Sequence, residues 1–291
     1  MSQPSLPVAA KSQTDKVKQA LAVAPQSTEG LTLKAMLQST DVRGRFEDML
    51  GKKAAGFISS ILSAVSLNKA LGTADPRTVL SAAAIAASLD LPINGNLGFA
   101  YIVPYKGQAT FQMGAKGFVQ LAMRTGQYKT MNVAIVHEGE LKESDPFRGT
   151  MEFDHAGKKS DVVVGYVAYF RLLNGFEKWF YMTKAQVEAH GKRYSQSYNS
   201  DLGQWKKNFD AMALKTVIKQ LLSKWGILSI EMQRALTYDQ AVVDEQEKPN
   251  YIDAKAASAE LEDSPFLDPQ EEGGGSFGAE GKPIPGPQQP A

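Results

Sequence analysis

VVVGYVAYFRLLNGFEKWFYM, residues 162–182, sets the architecture. It is rich in β-branched and aromatic residues, the types that suit a pleated, half-buried surface. Asn174-Gly175 divides it, and that dipeptide favours the tight turn of an antiparallel hairpin. The stretch therefore predicts two adjacent antiparallel strands. Working outward, YKTMNVAIVH (128–137) and residues 147–154 carry further strand signals. Residues 93–114, INGNLGFAYIVPYKGQATFQMG, read as another hairpin. There Phe99, Tyr101, Val103 and Tyr105 alternate, Lys106-Gly107 turns the chain, and Thr110, Phe111 and Met113 return.

Helical signals flank these strands. Residues 31–50 and 53–71 read as two helices, with interruptions at Thr40-Asp41 and Gly51. Asp75 can cap the next helix, and Pro76 fits a first turn where no N–H partner is needed. That helix runs through RTVLSAAAIAASLDL and stops before Pro92. AKGFVQLAMRTG forms a short helix ending at Gly126, a good C-terminal glycine. A helix begins at Thr183, residues 192–203 form a polar loop, and Ser229–Leu236 adds a helical turn. The expected class is α+β: a small, mostly antiparallel sheet packed with helices.

Between the polar loop and that last turn lies WKKNFDAMALKTVIKQLLSKW, residues 205–225. It holds five lysines, and Asp210 is its one acidic residue. Leu214, Val217, Ile218, Leu221, Leu222 and Trp225 follow helical spacing and form one apolar stripe. Lys215 and Lys219, four apart, flank that stripe and would present two neighbouring ammonium groups. Upstream, Lys192-Arg193-Tyr194, Tyr198 and Lys206-Lys207 continue a basic and aromatic mixture. Cations suit phosphates and rings suit unstacked bases, so the pattern fits single-stranded nucleic acid. A solvated surface helix would show much of the same pattern.

The charge map favours the polyanion. The formal net charge is +1, but it is unevenly distributed. Residues 31–236 hold 26 Lys and Arg against 17 Asp and Glu, a net +9. Residues 237–291 hold 3 against 12, a net −9. A basic body attracts nucleic acid or anionic membranes, and an acidic tail often serves interaction. Three regions are expected: a flexible N-terminal tail (1–30), a basic, DNA-binding core (31–240), and an acidic, Gly- and Pro-rich flexible tail (241–291).

Much chemistry is missing. There is no P-loop motif and no Rossmann glycine fingerprint. Cysteine is absent, which removes disulfides and thiol chemistry and fits a reducing cytoplasm. His137, His155 and His190 lack metal-ligand spacing. Glu138, Glu140 and Asp145 fall in EGELKESDP, read here as a solvated loop. No nucleophile-elbow serine is present. The N-terminus has no long apolar signal segment, and no run approaches the ~18 apolar residues of a spanning helix. An intracellular protein is expected, without cofactor, metal or catalytic residue set.

Two long blocks now bear on family. SLDLPINGNLGFAYIVPYKGQATFQMGAKGFVQLAMRTGQ (88–127) and WKKNFDAMALKTVIKQLLSKWGILSIEMQRAL (205–236) resemble two blocks of the RecT recombinases of phages and prophages, in the same order. The resemblance spans roughly residues 31–240 and leaves out both ends. It implies an annealing protein related to the Red beta annealing protein. Such a protein binds single-stranded DNA without ATP, forms rings or helical filaments, and pairs complementary strands through an annealed duplex intermediate, with strand invasion as a related activity. The implied partners are a phage-encoded 5′→3′ exonuclease and a host single-stranded DNA-binding protein. The implied compartment is the bacterial cytoplasm.

Annealing breaks no covalent bond, but it must neutralise two polyanions and hold bases exposed. Lys116, Arg124, Lys192, Arg193, Lys206, Lys207, Lys215 and Lys219 are the candidate phosphate contacts. Tyr105, Tyr194, Tyr198 and Trp205 are candidate base or sugar contacts, and Tyr198 is expected to be the most exposed of them. Gln112 and Gln120 are weaker polar candidates. Phe99, Phe111, Phe118, Trp179 and Trp225 are assigned to the core. Asp201 and Asp210 are expected to pair with Lys206 or Lys207. Three other readings stand beside annealing: a coating or adaptor protein, a Mg²⁺-dependent nuclease, and a tail that folds onto the body as a DNA mimic.

Overall fold

The structure is a computed structural model that describes residues 32–145, 147–195, 197–201, 203–243 and 248–251. The expected tail at 1–30, and the expected tail beyond Tyr251, lie outside the described residues.

Helices α1 (Leu33–Gln38) and α2 (Thr40–Leu50) meet at Ser39. Its hydroxyl donates to the Met36 carbonyl and accepts from the Val42 N–H, so one residue ends the first helix and caps the second. Beyond a short 3₁₀ turn at Gly51–Lys53 lies α3 (Ala54–Leu67). The single helix expected over 53–71 is broken at Asn68. The Asn68 side-chain oxygen accepts from the N–H groups of Ala70 and Leu71 and starts α4 (Lys69–Gly72). Helix α5 (Pro76–Ser88) begins as its sequence reads, with Asp75 accepting from the Arg77 N–H at 2.9 Å. Its Val79, Leu80 and Ala82–Ala87 are buried, and the five alanines among them allow close packing on its neighbours.

Strands β1 (Ala100–Tyr105) and β2 (Gln108–Met113) form the expected hairpin. Thr78 ties it to α5: its hydroxyl accepts from the buried Ala109 N–H at 2.8 Å and donates to the Asp75 carbonyl. Helix α6 (Ala115–Arg124) follows. The central sheet has three antiparallel strands in the order β3-β6-β7, namely β3 (Tyr128–His137), β6 (Val163–Leu172) and β7 (Glu177–Thr183). Inserted between β3 and β6 is a hairpin of β4 (Leu141–Asp145) and β5 (Thr150–Phe153). The stretch read as a solvated loop is therefore largely a paired strand.

After β7, Thr183 opens α7 (Lys184–Tyr194) with a reciprocal capping box to Gln186. This helix runs three residues past the expected start of the polar loop and takes Lys192 and Arg193 into its last turn. The basic segment is two helices, α8 (Gln204–Lys207) and α9 (Phe209–Trp225), divided at Asn208. Then come α10 (Ile230–Tyr238), capped by Ser229, and an antiparallel pair of β8 (Ala241–Val243) and β9 (Pro249–Tyr251). Ala241, Val242 and Val243 are buried, so packed structure continues past the boundary drawn at 240. The class is α+β with small antiparallel sheets.

Helix α9 lies on one face of the three-stranded sheet and buries Ala213, Val217, Ile218, Leu221 and Leu222. Tyrosine hydroxyls fix both of its ends. At the start, the Tyr166 hydroxyl donates to the Asp210 carboxylate at 2.5 Å. Burial, reinforced by Asp210, pushes that phenol well above its ordinary value. Just past the end, the Ile227 N–H donates to the Tyr128 hydroxyl at 2.7 Å. A Cβ at Gly226 would lie 2.9 Å from that hydroxyl, so the absent side chain permits the approach.

Candidate nucleic-acid interface

The middle of α9 does not present its lysines to solvent as expected. Lys215 and Lys219 keep only 11% and 14% of their side chains exposed. Both turn toward Asp239, whose side chain is fully buried at the C-terminal end of α10. The Lys215 ammonium is 3.9 Å from Asp239 Oδ1, and that of Lys219 is 3.3 Å from Oδ2. Asp239 Oδ1 also accepts from the Met113 N–H at 2.8 Å, at the end of β2. One carboxylate thus joins α9, α10 and β2. The physical reason for the correction is desolvation. A carboxylate at this depth needs cationic partners, and these two lysines are within reach.

Arg124 stays exposed but is also engaged by the body. Its guanidinium donates to the Leu89 carbonyl at 2.6 Å and the Asp90 carbonyl at 2.8 Å, just past the end of α5. Carbonyls at a helix end lack intrahelical partners, and Arg124 satisfies them. Lys53 completes the junction with an ion pair to Asp90 at 2.8 Å.

The N-terminal end of α9 is different. Lys192 and Arg193 at the end of α7, and Lys206 and Lys207 on α8, are all exposed. Lys206 pairs with Asp201, as expected, through a contact that leaves the lysine side chain 60% exposed. Asp210 departs from expectation, since its partner is Tyr166 rather than a lysine. Tyr198, expected to be the most exposed ring, is half-buried, and Trp205 is only 6% exposed. Their ring centroids are 5.5 Å apart, and Trp205 also meets Phe209 at 5.7 Å. A Cβ at Gly191 would lie 2.6 Å from the Tyr198 ring, so these rings hold the loop after α7 against that helix. They shape the basic surface from below: Lys192 Nζ is 5.9 Å from the Tyr198 ring. Tyr194 is half-buried, with the Arg193 guanidinium 5.1 Å from its ring.

Of the other candidates, Lys116 is exposed in the first turn of α6, with its stem alongside Gly98. Tyr105 is half-buried near the Lys106 ammonium, Gln112 is half-buried and Gln120 is exposed. Phe111 and Phe118 are core residues, whereas Phe99, Trp179 and Trp225 are only partly buried.

The C-terminal end of α9 carries a cluster that the sequence pattern did not bring together. Lys178 of β7 places its ammonium 4.5 Å from the Trp225 ring, and Lys224 is 5.8 Å from the Phe180 ring. Trp225 and Lys178 are distant in sequence, so spacing alone could not join them. The usable signal was alternation: in β7, Lys178, Phe180 and Met182 share one side of the strand.

Among the described residues, no group of three or more His, Asp or Glu side chains is placed to hold a metal ion. His137 and His155 instead share the buried Glu140, at the root of the β4–β5 hairpin. Glu140 Oε2 accepts from the His137 N–H at 2.6 Å and lies 3.1 Å from its Nδ1. Oε1 lies 2.7 Å from His155 Nδ1. The His137 backbone donor, helped by both imidazoles, lowers the Glu140 carboxyl to about 2. No described helix is long and apolar enough to cross a membrane.

Comparison with known proteins bears on the family. The RecT family model matches residues 55–253, a range that includes α9 and the clusters at both of its ends. The chain is 51% identical over 242 residues to the uncharacterized protein YqaK of Bacillus subtilis (strain 168), which covers 82% of each chain. It is 29% identical over 212 residues to Protein RecT of Escherichia coli (strain K12), covering 70% of this chain and 75% of that one.

Proposed function

The chain belongs to the RecT family, and from that premise we propose that it binds single-stranded DNA without ATP, assembles on it and pairs complementary strands. Membership itself supports a role in single-strand annealing recombination. The observation that carries the finer reading is the exposed cationic surface at the N-terminal end of α9: Lys192, Arg193, Lys206 and Lys207. These side chains can neutralise phosphates, while bases remain free to test pairing. Lys116 is a further phosphate contact in this reading. Lys215, Lys219 and Arg124 act as framework, because their charges already meet internal partners. Tyr198 and Trp205 contribute by holding the loop that joins the two cation-bearing helices, rather than by stacking on bases.

Strand pairing breaks no covalent bond, so the reading calls for no acid, base, metal or nucleotide. A ring or filament of this chain on DNA, strand invasion, delivery of the strand by a 5′→3′ exonuclease, contact with a host single-stranded DNA-binding protein and action in the bacterial cytoplasm belong to the same proposal. The division into a tail at 1–30, a core from 31 and an acidic C-terminal tail belongs to the same proposal, with the described strands β8 and β9 assigned to the core.

The test is pairing of two complementary labelled oligonucleotides without ATP, across a salt series. Acceleration that fades with salt, with both oligonucleotides intact afterwards, is the expected result. Binding without acceleration would leave a coating or adaptor protein, and loss of intact oligonucleotides would point to a nuclease.

A further inference from the structure

We infer that the turn of the β4–β5 hairpin is a base-contacting tip, in which the Phe147 ring stacks on an unpaired base while Arg148 and Lys178 hold flanking phosphates. The inference rests on the single-stranded DNA reading above and adds a contact at the opposite end of α9 from Lys206 and Lys207.

Phe147 is 99% exposed, the highest value among the exposed large apolar side chains of the described residues. The turn that carries it is held from several directions. Asp145 Oδ1 accepts from the N–H groups of Phe147 at 2.9 Å and Arg148 at 3.1 Å. The Gly149 N–H donates to the Asp145 carbonyl at 2.8 Å. At its root, the hairpin is fastened by Glu140 between His137 and His155. The ring is therefore presented outward by a bonded turn.

The turn that carries the ring also has two cations: Arg148 within it and Lys178 against its backbone. Arg148 is 84% exposed, with Nε 3.7 Å from Asp145 Oδ2. Behind the turn lies Lys178: a Cβ at Gly149 would be 2.1 Å from its ammonium, so the missing side chain, at φ +66°, makes room for it. The same ammonium is 4.5 Å from the Trp225 ring, which places the turn beside the C-terminal end of α9. An exposed ring on a turn that also holds two cations matches a strand whose bases alternate with phosphates. Phenylalanine cannot hydrogen-bond to a base edge, so the contact would be sequence-tolerant, as pairing of arbitrary strands requires.

The experiment uses the full chain and oligo(dT). Phe147→Ala is expected to weaken binding by roughly fivefold or more with the fold unchanged. Arg148→Ala is expected to lower the slope of log affinity against log salt by about 0.7. In a Phe147→Trp variant, emission from the new indole, taken relative to wild type, should be quenched as oligo(dT) is added. If wild type binds and anneals while Phe147→Ala binds equally well and the Phe147→Trp signal stays constant, the tip proposal is overturned and the annealing reading stands. A Phe147→Trp signal that changes with protein concentration in the absence of DNA also overturns it, since the ring then docks on another copy of the chain. Failure of wild type to bind oligo(dT) removes both.

Discussion

The middle of α9 and its two ends use the same residue type for opposite purposes. At the middle, Lys215 and Lys219 meet a fully buried carboxylate and join three elements of the body. At the N-terminal end, Lys206 and Lys207 stay exposed, Lys206 through a surface pair with Asp201, and at the C-terminal end Lys178 and Lys224 lie over aromatic rings near the surface. A lysine on a basic helix is therefore not by itself a phosphate ligand. What decides is whether the fold places a desolvated carboxylate within its reach, because an unpaired buried charge costs more than a surface contact returns.

The strongest way to break this contrast is Asp239→Ala. It leaves two largely buried ammonium groups facing each other and removes the acceptor of the Met113 N–H. Breaking such a site by losing one partner costs about 3–5 kcal/mol. Urea denaturation should show that loss; a midpoint like that of wild type would mean the carboxylate holds nothing together.

A smaller effect is expected where α9 is fixed to the sheet. Tyr166→Phe keeps the buried ring but removes the donor to Asp210. Because Asp210 is exposed and water can replace the donor, the cost should be about 1 kcal/mol, again by urea denaturation. A cost of several kcal/mol would show that the N-terminal end of α9 is as dependent on buried charge as its middle.

Acid should separate the hairpin root from the rest. Glu140 has its carboxyl lowered from 4.5 to about 2, so its folded form favours the ionised state. The stabilisation it gives is complete above pH 4.5 and is lost as pH falls toward 2. Wild type should therefore lose more stability between pH 5 and pH 2.5 than a Glu140→Gln variant does. Parallel pH curves for the two would contradict the lowered Glu140 carboxyl and the donors assigned to it, the His137 N–H first.

The three strands of the central sheet, the β1–β2 hairpin and several helix starts were legible in the sequence because each rests on local chemistry. Asn174-Gly175 turns the hairpin, Asp75 and Ser229 cap their helices, and the pattern in 128–137 matches β3. The loop expected at EGELKESDP became a strand because its partner, β5, lies several residues further on, and Glu140 is held by His155 rather than by water. The lysines of α9 were legible as charge but not as direction. Asp239 lies outside the basic stretch, in a segment whose acidity suggested a tail, and only the fold brings it to Lys215 and Lys219. Tyr198 was read as exposed from its polar neighbours, yet its ring packs on Trp205.

The contrast itself is tested most directly by two double variants, each measured for urea midpoint and for oligo(dT) binding across a salt series. Lys206→Ala with Lys207→Ala should leave the midpoint in place and reduce the salt slope by as much as ~1.4, about 0.7 for each phosphate no longer neutralised. Lys215→Ala with Lys219→Ala should lower the midpoint sharply, while protein still folded at low denaturant keeps the wild-type slope. The reverse outcome, a stable Lys215/Lys219 variant with a reduced slope, would contradict the account and return the middle of α9 to the DNA.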